Sequence, residues 1–210
     1  RLVGEALARI ASSADARVLR GRCLPYGAGI TYWPLMELVR DDAGIGGGDD
    51  RLTALGKLER RIAMLLAGEA ASVRPRLAAM LGLEPVEEAL AGIPATDVPR
   101  EIAWGIREYL AAIAREPAVV VIDDLQWAEP AVFDIIDGLA ERAEDAPLLL
   151  LCVARPQLLE THAGWAAGRA NAATITLDAL SAEETTTLIS RLLNVDDLPA
   201  DLRARVVERS

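Results

Sequence analysis

The chain has 210 residues, of which 52% are hydrophobic and 26% charged, and its formal net charge is −10. This length and apolar fraction suffice for one domain, or one and part of a second, with a sizeable core. The negative charge argues against direct nucleic-acid binding, which needs a basic surface. Apolar runs such as Leu148 to Ala154 are far shorter than the roughly 20 residues of a membrane span, and no signal peptide is recognisable. We therefore expect a cytoplasmic protein without membrane contact.

The cysteines and the histidine indicate no redox or nucleophilic chemistry. Cys23 and Cys152 lie far apart, each inside or at the end of an apolar segment. This placement favours two buried thiols over a disulfide or a metal site. His162 has no cysteine or serine partner at a telling spacing, so a catalytic triad is not expected.

Helix and strand patterns alternate in the first part of the chain. Apolar residues at helical spacing predict a helix from the first residues, and they are Leu2, Val3, Ala6, Leu7 and Ile10. A short strand is predicted over Arg17 to Cys23, followed by an aromatic-bearing loop over Tyr26 to Pro34 and a helix over Pro34 to Arg40.

The glycines of Ala43 to Asp50, AGIGGGDD, do not form a phosphate-binding loop. Such a loop has the pattern G-x-x-x-x-G-K-[ST], because its lysine and hydroxyl contact the phosphates and the metal ion. No Lys-Ser or Lys-Thr follows these glycines. We interpret the segment as a solvated linker between helices.

A helical region follows the linker. The pattern from Arg51 to Leu90 is helical, with a break expected near Arg74 and Pro75. A further helix is predicted over Val98 to Arg115. Its expected buried stripe is Ile102, Ile106, Tyr109, Leu110 and Ile113.

The stretch Pro117 to Pro130, PAVVVIDDLQWAEP, contains the central strand. Its apolar run, Ala118 to Ile122, is typical of a strand covered on both faces in a parallel sheet. Asp123 and Asp124 then lie at the carboxyl end of the strand, where open α/β sheets bind ligands. Pro130 suits the first turn of the next helix.

Two further strands and a helix are predicted beyond this stretch. The strands span Leu148 to Val153 and Thr174 to Leu177, and their separation by helices predicts a parallel three-layer α/β sheet. Ser181 and Glu184 form a capping-box pattern for a helix through Leu193, and another helix is expected to start within Pro199 to Ser210.

Three segments together resemble one protein family. VVVIDDLQWAEP resembles the Walker B element of P-loop ATPases of the AAA and STAND (signal-transduction) group, with an origin-recognition-like AAA ATPase domain. RGRCLPYGAGITYWPL is similar to the strand and loop after the first helix of that module, and LLLLCVARP to its sensor strand. The module occurs in adenylate- or guanylate-cyclase-like proteins and in large LuxR-type regulators. The resemblance covers nearly the whole chain in the same order.

The resemblance implies an incomplete P-loop NTPase core followed by the start of a helical lid. The core is expected over residues 1–178, with a helical insertion at about 41–98, and the truncated lid over 179–210. No Walker A motif occurs in the sequence, and in the resembling proteins it ends just before a helix like the one beginning at Arg1. We therefore interpret the chain as a fragment that starts just after Walker A. The missing first strand would lie between the strands of Leu148 and Thr174.

The resemblance also implies a site for ATP and Mg²⁺. Asp123 would hold Mg²⁺, Asp124 would orient the attacking water, and Arg155 would take the sensor position near the γ-phosphate. Other interpretations remain open: the two acids could cap the following helix, and Arg155 could pair with a surface acid. Trp127 is interpreted as packing rather than adenine stacking. Arg20 and Arg22, near a strand end, could approach phosphates, but a surface role is favoured.

The implied function is an ATP-binding and ATP-hydrolysing switch module of a bacterial signalling or transcriptional regulator. Its partners would be ATP and other domains of the same protein, namely a cyclase or DNA-binding effector and helical repeats. The alternative is a non-hydrolysing scaffold for protein interaction. A metal-dependent hydrolase acting without nucleotide is less favoured, because no further ligand set is visible. Without a phosphate-binding loop, the chain alone is expected to bind ATP feebly and to lack activity.

Overall fold

Parallel strands flanked by helices form the first part of this computed structural model. The structure describes residues 2–13, 16–25, 31–142, 146–165 and 169–193. The chain divides into two units, Arg1–Trp165 and Ala166–Ser210, which are described separately. The domain boundary predicted between residues 178 and 179 stays a prediction.

The sheet of the first unit has its strands in chain order. They are β1 (Arg17–Arg22), β2 (Ala118–Asp123) and β3 (Leu148–Cys152), all parallel, with β2 in the middle. Arg22 lies opposite Asp123, so β1 and β2 end side by side. Residues 118–122 of β2 are all buried, which confirms the prediction of a strand covered on both faces.

The helices of the first unit confirm most of the predicted elements. They are α1 (Leu2–Ser13), α2 (Trp33–Ala43), α3 (Arg51–Leu66), α4 (Ala70–Met80), α5 (Val86–Ala89), α6 (Val98–Ile113), α7 (Pro130–Arg142) and α8 (Gln157–Thr161). All five residues of the stripe predicted for α6 are buried. The glycine-containing linker joins α2 to α3 as expected, and Ile45 within it is buried.

The two faces of the sheet are covered differently. On one face, Leu7 of α1 packs against Val119 and Val121 of β2. The opposite face contributes Val120 and Ile122 to a larger core that includes residues of α2, α6 and α7. This arrangement is the predicted three-layer α/β architecture.

The outer edge of β3 is unpaired within the described residues. The N–H of Val153 donates to Ile122 and the N–H of Ala118 to Pro147, so the alternation of a parallel ladder directs the backbone groups of Leu148, Leu150 and Cys152 away from β2. Leu149 on this strand is 46% exposed. The N–H of Leu148 donates to the carbonyl of Ala146, so among the described residues the free backbone groups of this apolar edge are those of Leu150 and Cys152 and the carbonyl of Leu148.

One helix break differs from the prediction. A break was expected near Arg74 and Pro75, but the chain interrupts its helices at residues 67–69, and Pro75 lies inside α4. The carboxyl-terminal half of α4 is buried, so its packing outweighs the lost backbone hydrogen bond. The side chain of Arg76, the residue after the proline, donates to the carbonyl of Ser72 in the same helix.

A buried carboxylate joins four elements at the amino end of the sheet. Asp42 of α2 is 3% exposed. Arg17 Nε lies 2.5 Å from Asp42 Oδ1, and Arg61 Nε lies 2.8 Å from Oδ2. The Tyr109 hydroxyl donates to Oδ2 at 2.6 Å, and burial raises the pKa of Tyr109, so it stays protonated. We refer to Asp42, Arg17, Arg61 and Tyr109 as the Asp42 network, which connects β1, α2, α3 and α6.

The second unit contains one correction and one confirmation. The strand predicted over Thr174 to Leu177 is wrong, because these residues form neither helix nor strand, and Ile175 and Leu177 are 81% and 68% exposed. A strand needs a neighbouring edge to pair its backbone and to bury its apolar side chains. The helix α9 (Ala182–Leu193) begins at the predicted capping box: Glu184 N donates to Ser181 Oγ at 3.2 Å, and Ser181 N donates to Glu184 Oε2 at 2.8 Å. The helix expected within Pro199 to Ser210 lies outside the described residues.

Gly21 allows α2 to approach β1 closely. A Cβ at this position would lie 2.1 Å from the carbonyl oxygen of Pro34. Gly21→Ala should therefore lower the free energy of unfolding by about 3 kcal/mol, the upper end for an overpacked site. The matched control is Gly56→Ala in α3, which has no atom within 4 Å of the added Cβ. It should stabilise the chain by about 0.5–1 kcal/mol, and denaturant unfolding measures both variants.

The Asp42 network predicts a second stability effect. Tyr109→Phe removes a buried donor to a carboxylate and should cost about 1–3 kcal/mol in urea unfolding. Tyr32→Phe is the control, because its hydroxyl donates to Pro99 in an exposed position. It should change stability by no more than about 0.5 kcal/mol. Equal losses in both variants would contradict the role assigned to Tyr109.

Candidate functional site

The candidate site lies where the three parallel strands end. Asp123 is the last residue of β2 and is exposed, and Asp124 follows it directly. Arg22 ends β1 beside Asp123, and Arg155 follows β3. Because the strands are parallel, their carboxyl ends meet at one edge of the sheet, so the predicted residues Asp123, Asp124 and Arg155 lie around the same edge.

The backbone at Asp124 turns sharply. Its φ of 55° and ψ of 38° are left-handed, and it is the only described non-glycine residue with a positive φ. Asp123 Oδ1 accepts a hydrogen bond from the backbone N of Asp124 at 2.9 Å. A 3₁₀ turn over Leu125–Trp127 follows and leads towards α7. Such backbone conformations cost energy and concentrate at functional sites.

Arg22 binds the carboxylate of Asp124. Its Nε donates to Asp124 Oδ2 at 2.8 Å, and its Nη2 lies 2.7 Å from the same oxygen. The hydrogen bond from Arg22 is the main cause that lowers the pKa of Asp124, and it is supported by Gln126 and by the charges of Arg22 and Arg155. Asp124 is therefore ionised at neutral pH. The surface role expected for Arg22 is thus too simple, because pairing with Asp124 required the parallel register of β1 and β2.

Gln126 connects the loops after β2 and β3. Its Nε2 donates to Asp124 Oδ1 at 3.1 Å, and its Oε1 accepts from the backbone N of Arg155 at 3.0 Å. Gln126 is not among the residues that the sequence predicts for the site. The feature of the sequence that could have indicated Gln126 is its position: it is a polar residue two positions after the second acid, in a tight turn that directs its side chain back towards the strand ends.

The geometry gives no support to helix capping by the two acids, and it shows that the packing expected for Trp127 is only partial. In the described part of the chain, the hydrogen bonds of the two acids involve Arg22, Gln126 and the backbone N of Asp124, and none involves the first turn of α7. The acids therefore do not cap that helix. Trp127 is 47% exposed, so packing accounts for only part of its ring.

The cysteines lie beside the strand ends but belong to the core. Both are free, with Cys23 buried and Cys152 partly buried. Burial raises the pKa of Cys23 and of Cys152 to about 12, so neither is a thiolate at neutral pH. The prediction of two buried thiols is confirmed for Cys23, whereas Cys152 is only partly buried.

The residues at the site fit a magnesium ion that shares its coordination with a substrate. Mg²⁺ is commonly bound through one or two carboxylates plus phosphates and water, rather than by an all-protein cage. Asp123 is exposed, and among the described residues no group of three or more acidic, histidine or cysteine side chains forms a closed metal site. This donor set suits Mg²⁺ bound together with phosphate oxygens.

The described helices include none that is long and apolar enough to span a membrane. A parallel sheet with acids at its carboxyl edge is typical of α/β proteins that bind a ligand at that edge. The family model of the AAA ATPase domain matches residues 1–151, and the chain belongs to this family. Membership supports nucleotide binding and hydrolysis, with ATP and Mg²⁺ as the usual ligands. Neither the search of curated proteins nor that of solved structures finds a match.

The pairing of Arg22 with Asp124 predicts how the site responds to a divalent cation. Arg22→Gln removes a positive charge beside the two acids and should increase the affinity for Mn²⁺, used as a probe for Mg²⁺, by about threefold at low salt. Isothermal titration calorimetry measures this affinity. Arg20→Gln is the control, because Arg20 is exposed on the same strand but lies opposite Val121. An equal increase in both variants would show a general charge effect instead.

Proposed function

We propose that this chain is the ATP-binding and ATP-hydrolysing switch module of a bacterial signalling or transcriptional regulator that works in the cytoplasm. The observation that carries the proposal is the ionised, backbone-strained Asp124 beside the exposed Asp123 at the end of β2, within a chain of the AAA ATPase family. Strained and charged residues at the carboxyl edge of a parallel sheet are typical of catalytic sites.

Each proposed role follows from the surroundings of the residue. Asp123 is exposed and would hold Mg²⁺, which neutralises phosphate charge when it is bound. Asp124 is ionised and would accept a hydrogen bond from the attacking water, which orients that water for in-line attack. Arg155 acts electrostatically on Asp124 and would contact the γ-phosphate from the neighbouring strand end.

Arg22 must release Asp124 before Asp124 can orient water. In this structure the Oδ2 atom of Asp124 accepts from Arg22, which is 65% exposed in its side chain. An exposed ion pair contributes little stability, so phosphate groups at the site could attract Arg22 away at a small energetic cost. Binding of the substrate would then expose the base.

The phosphate-binding part of the proposed site is not found in this sequence. No G-x-x-x-x-G-K-[ST] pattern occurs in the 210 residues. We propose that a strand carrying such a loop pairs with the outer edge of β3, where the backbone groups of Leu148, Leu150 and Cys152 point away from β2. A loop after that strand would face Asp123 and Asp124 across the same edge of the sheet.

A scaffold without hydrolysis is the second candidate. It is favoured by Arg22, which occupies Asp124 in this structure, and it would be favoured further if the residues preceding this sequence carried no phosphate-loop pattern. In either case the proposed partners are other domains of the same protein, such as a cyclase or DNA-binding effector. The ATPase would act on them by changing the contacts of the module between its nucleotide states.

Replacement of the two acids separates binding from turnover. Asp124→Asn should reduce kcat for ATP by about 100-fold or more while ATP binding is retained, because the carboxylate is needed to orient water. Asp123→Asn should weaken Mg²⁺-dependent ATP binding. Phosphate release and a fluorescent ATP analogue measure these effects in the longest natural form of the protein.

Asp134→Asn on α7 is the matched control, since Asp134 is exposed and lies outside the strand ends. It should leave kcat and binding unchanged. Unchanged turnover in Asp124→Asn would remove Asp124 from its proposed role. A protein that binds ATP without hydrolysing it, or that binds no ATP, would favour the scaffold.

A further inference from the structure

We propose that Gln126 is a positioning residue that couples the loop of Arg155 to the carboxylate of Asp124. The inference rests on the proposed function, because it assigns Gln126 to the same site. The geometry behind it does not depend on ATP. The side-chain amide of Gln126 binds one carboxylate oxygen of Asp124 with its NH₂ group and the backbone N–H of Arg155 with its oxygen.

The two hydrogen bonds fix the orientation of the amide. A carboxylate oxygen only accepts and a backbone N–H only donates. The Gln126 Nε2 must therefore face Asp124 Oδ1, at 3.1 Å, and its Oε1 must face the N of Arg155, at 3.0 Å. The reversed amide would place donor against donor and acceptor against oxygen, so this arrangement has a single orientation.

The last backbone hydrogen bonds between the β2 and β3 segments are those of Val153, and Gln126 adds a side-chain link beyond them. The N–H of Val153 donates to Ile122 at 2.9 Å, and the N–H of Leu125 donates to Val153 at 3.0 Å. Beyond this point the strands no longer pair, and Arg155 is exposed. The amide of Gln126 therefore extends the contact from the strands into the two loops.

Arg22 and Gln126 bind different carboxylate oxygens of Asp124, so their effects on Asp124 differ. Arg22 binds Oδ2 of Asp124, whereas Gln126 binds Oδ1. When Arg22 leaves, Oδ2 becomes available to water, and Gln126 still holds Oδ1. Because the backbone of Asp124 is left-handed and outside the strand ladder, its side chain needs such support to keep one orientation.

The same two hydrogen bonds couple the position of the Arg155 loop to the orientation of the Asp124 carboxylate. A movement of the Arg155 loop towards a phosphate would move the N–H that binds Gln126 Oε1. The amide would transmit this movement to Asp124 Oδ1, so the position of the loop and the direction of the base would change together. Gln126 itself need not touch the substrate.

Three substitutions distinguish the two halves of the bridge. Gln126→Met keeps a similar length but makes neither hydrogen bond. Gln126→Glu keeps an acceptor for the N–H of Arg155 but loses the donor to Asp124 and adds a like charge. Gln157→Met is the control, since Gln157 is the other glutamine of the chain and is exposed at the start of α8.

Hydrogen exchange of the Arg155 amide tests the bridge without any ATP. In the nucleotide-free chain, Gln126→Met should accelerate this exchange about fivefold, the effect of one lost hydrogen bond. Gln126→Glu and Gln157→Met should retain the protection. In addition, Asp124→Asn should shift the Arg155 amide resonance less in the Gln126→Met background than in the unmodified chain, because only the direct effect of the lost charge on Arg155 remains there. Unchanged exchange in Gln126→Met, or an equal shift in both backgrounds, would overturn the coupling.

ATPase kinetics test whether the positioning of Asp124 by Gln126 affects turnover. Gln126→Met and Gln126→Glu should each lower kcat for ATP by about 10-fold to 100-fold with KM changed by less than about twofold, as expected for a misdirected base. Gln157→Met should match the unmodified protein. Unchanged kcat in both Gln126 variants would overturn the positioning role. If the unmodified protein hydrolyses no ATP, the proposed ATPase function fails, and the exchange experiment still decides the coupling.

Discussion

The parallel pairing of β2 with β1 on one side and β3 on the other is the constraint on which the site depends. The register places Arg22 beside Asp123 and Cys152 beside Ile122, so three loops leave the sheet at one edge. A slip of one residue would turn each side chain to the opposite face and separate Arg22 from Asp124.

The amino end of the sheet is held by buried contacts, whereas its carboxyl end carries the exposed candidate site. At its amino end, Arg17 of β1 joins the buried Asp42 network, which connects the sheet to the helices that follow. At its carboxyl end, about 16 Å away along the same strand, Arg22 contacts the exposed acids. Substitutions at the first end should therefore change stability, whereas substitutions at the second should change ligand binding and turnover.

Two arginines offset part of the acidic charge at the site, and the chain as a whole is strongly acidic. Arg22 and Arg155 both lower the pKa of Asp124, while Asp123 lies exposed at the end of its strand. A cation and a phosphate group would each find an oppositely charged partner within this small area. Because Arg22 is exposed, its ion pair with Asp124 is weak and can be exchanged for another partner more easily than a buried pair.

The sequence by itself determined the elements with strong local patterns. The buried run of β2, the stripe of α6, the capping box at Ser181 and the adjacent acids were all visible as residue types at fixed spacings. Tertiary structure decided the rest. The Thr174 to Leu177 segment has the composition of a strand, but composition does not determine whether its backbone pairs with another strand, and these residues form none. The contacts of Arg22 with Asp124, and of Gln126 with Arg155, join residues 102 and 29 positions apart. No local pattern encodes such pairs, because they arise only when parallel strands bring their carboxyl ends together.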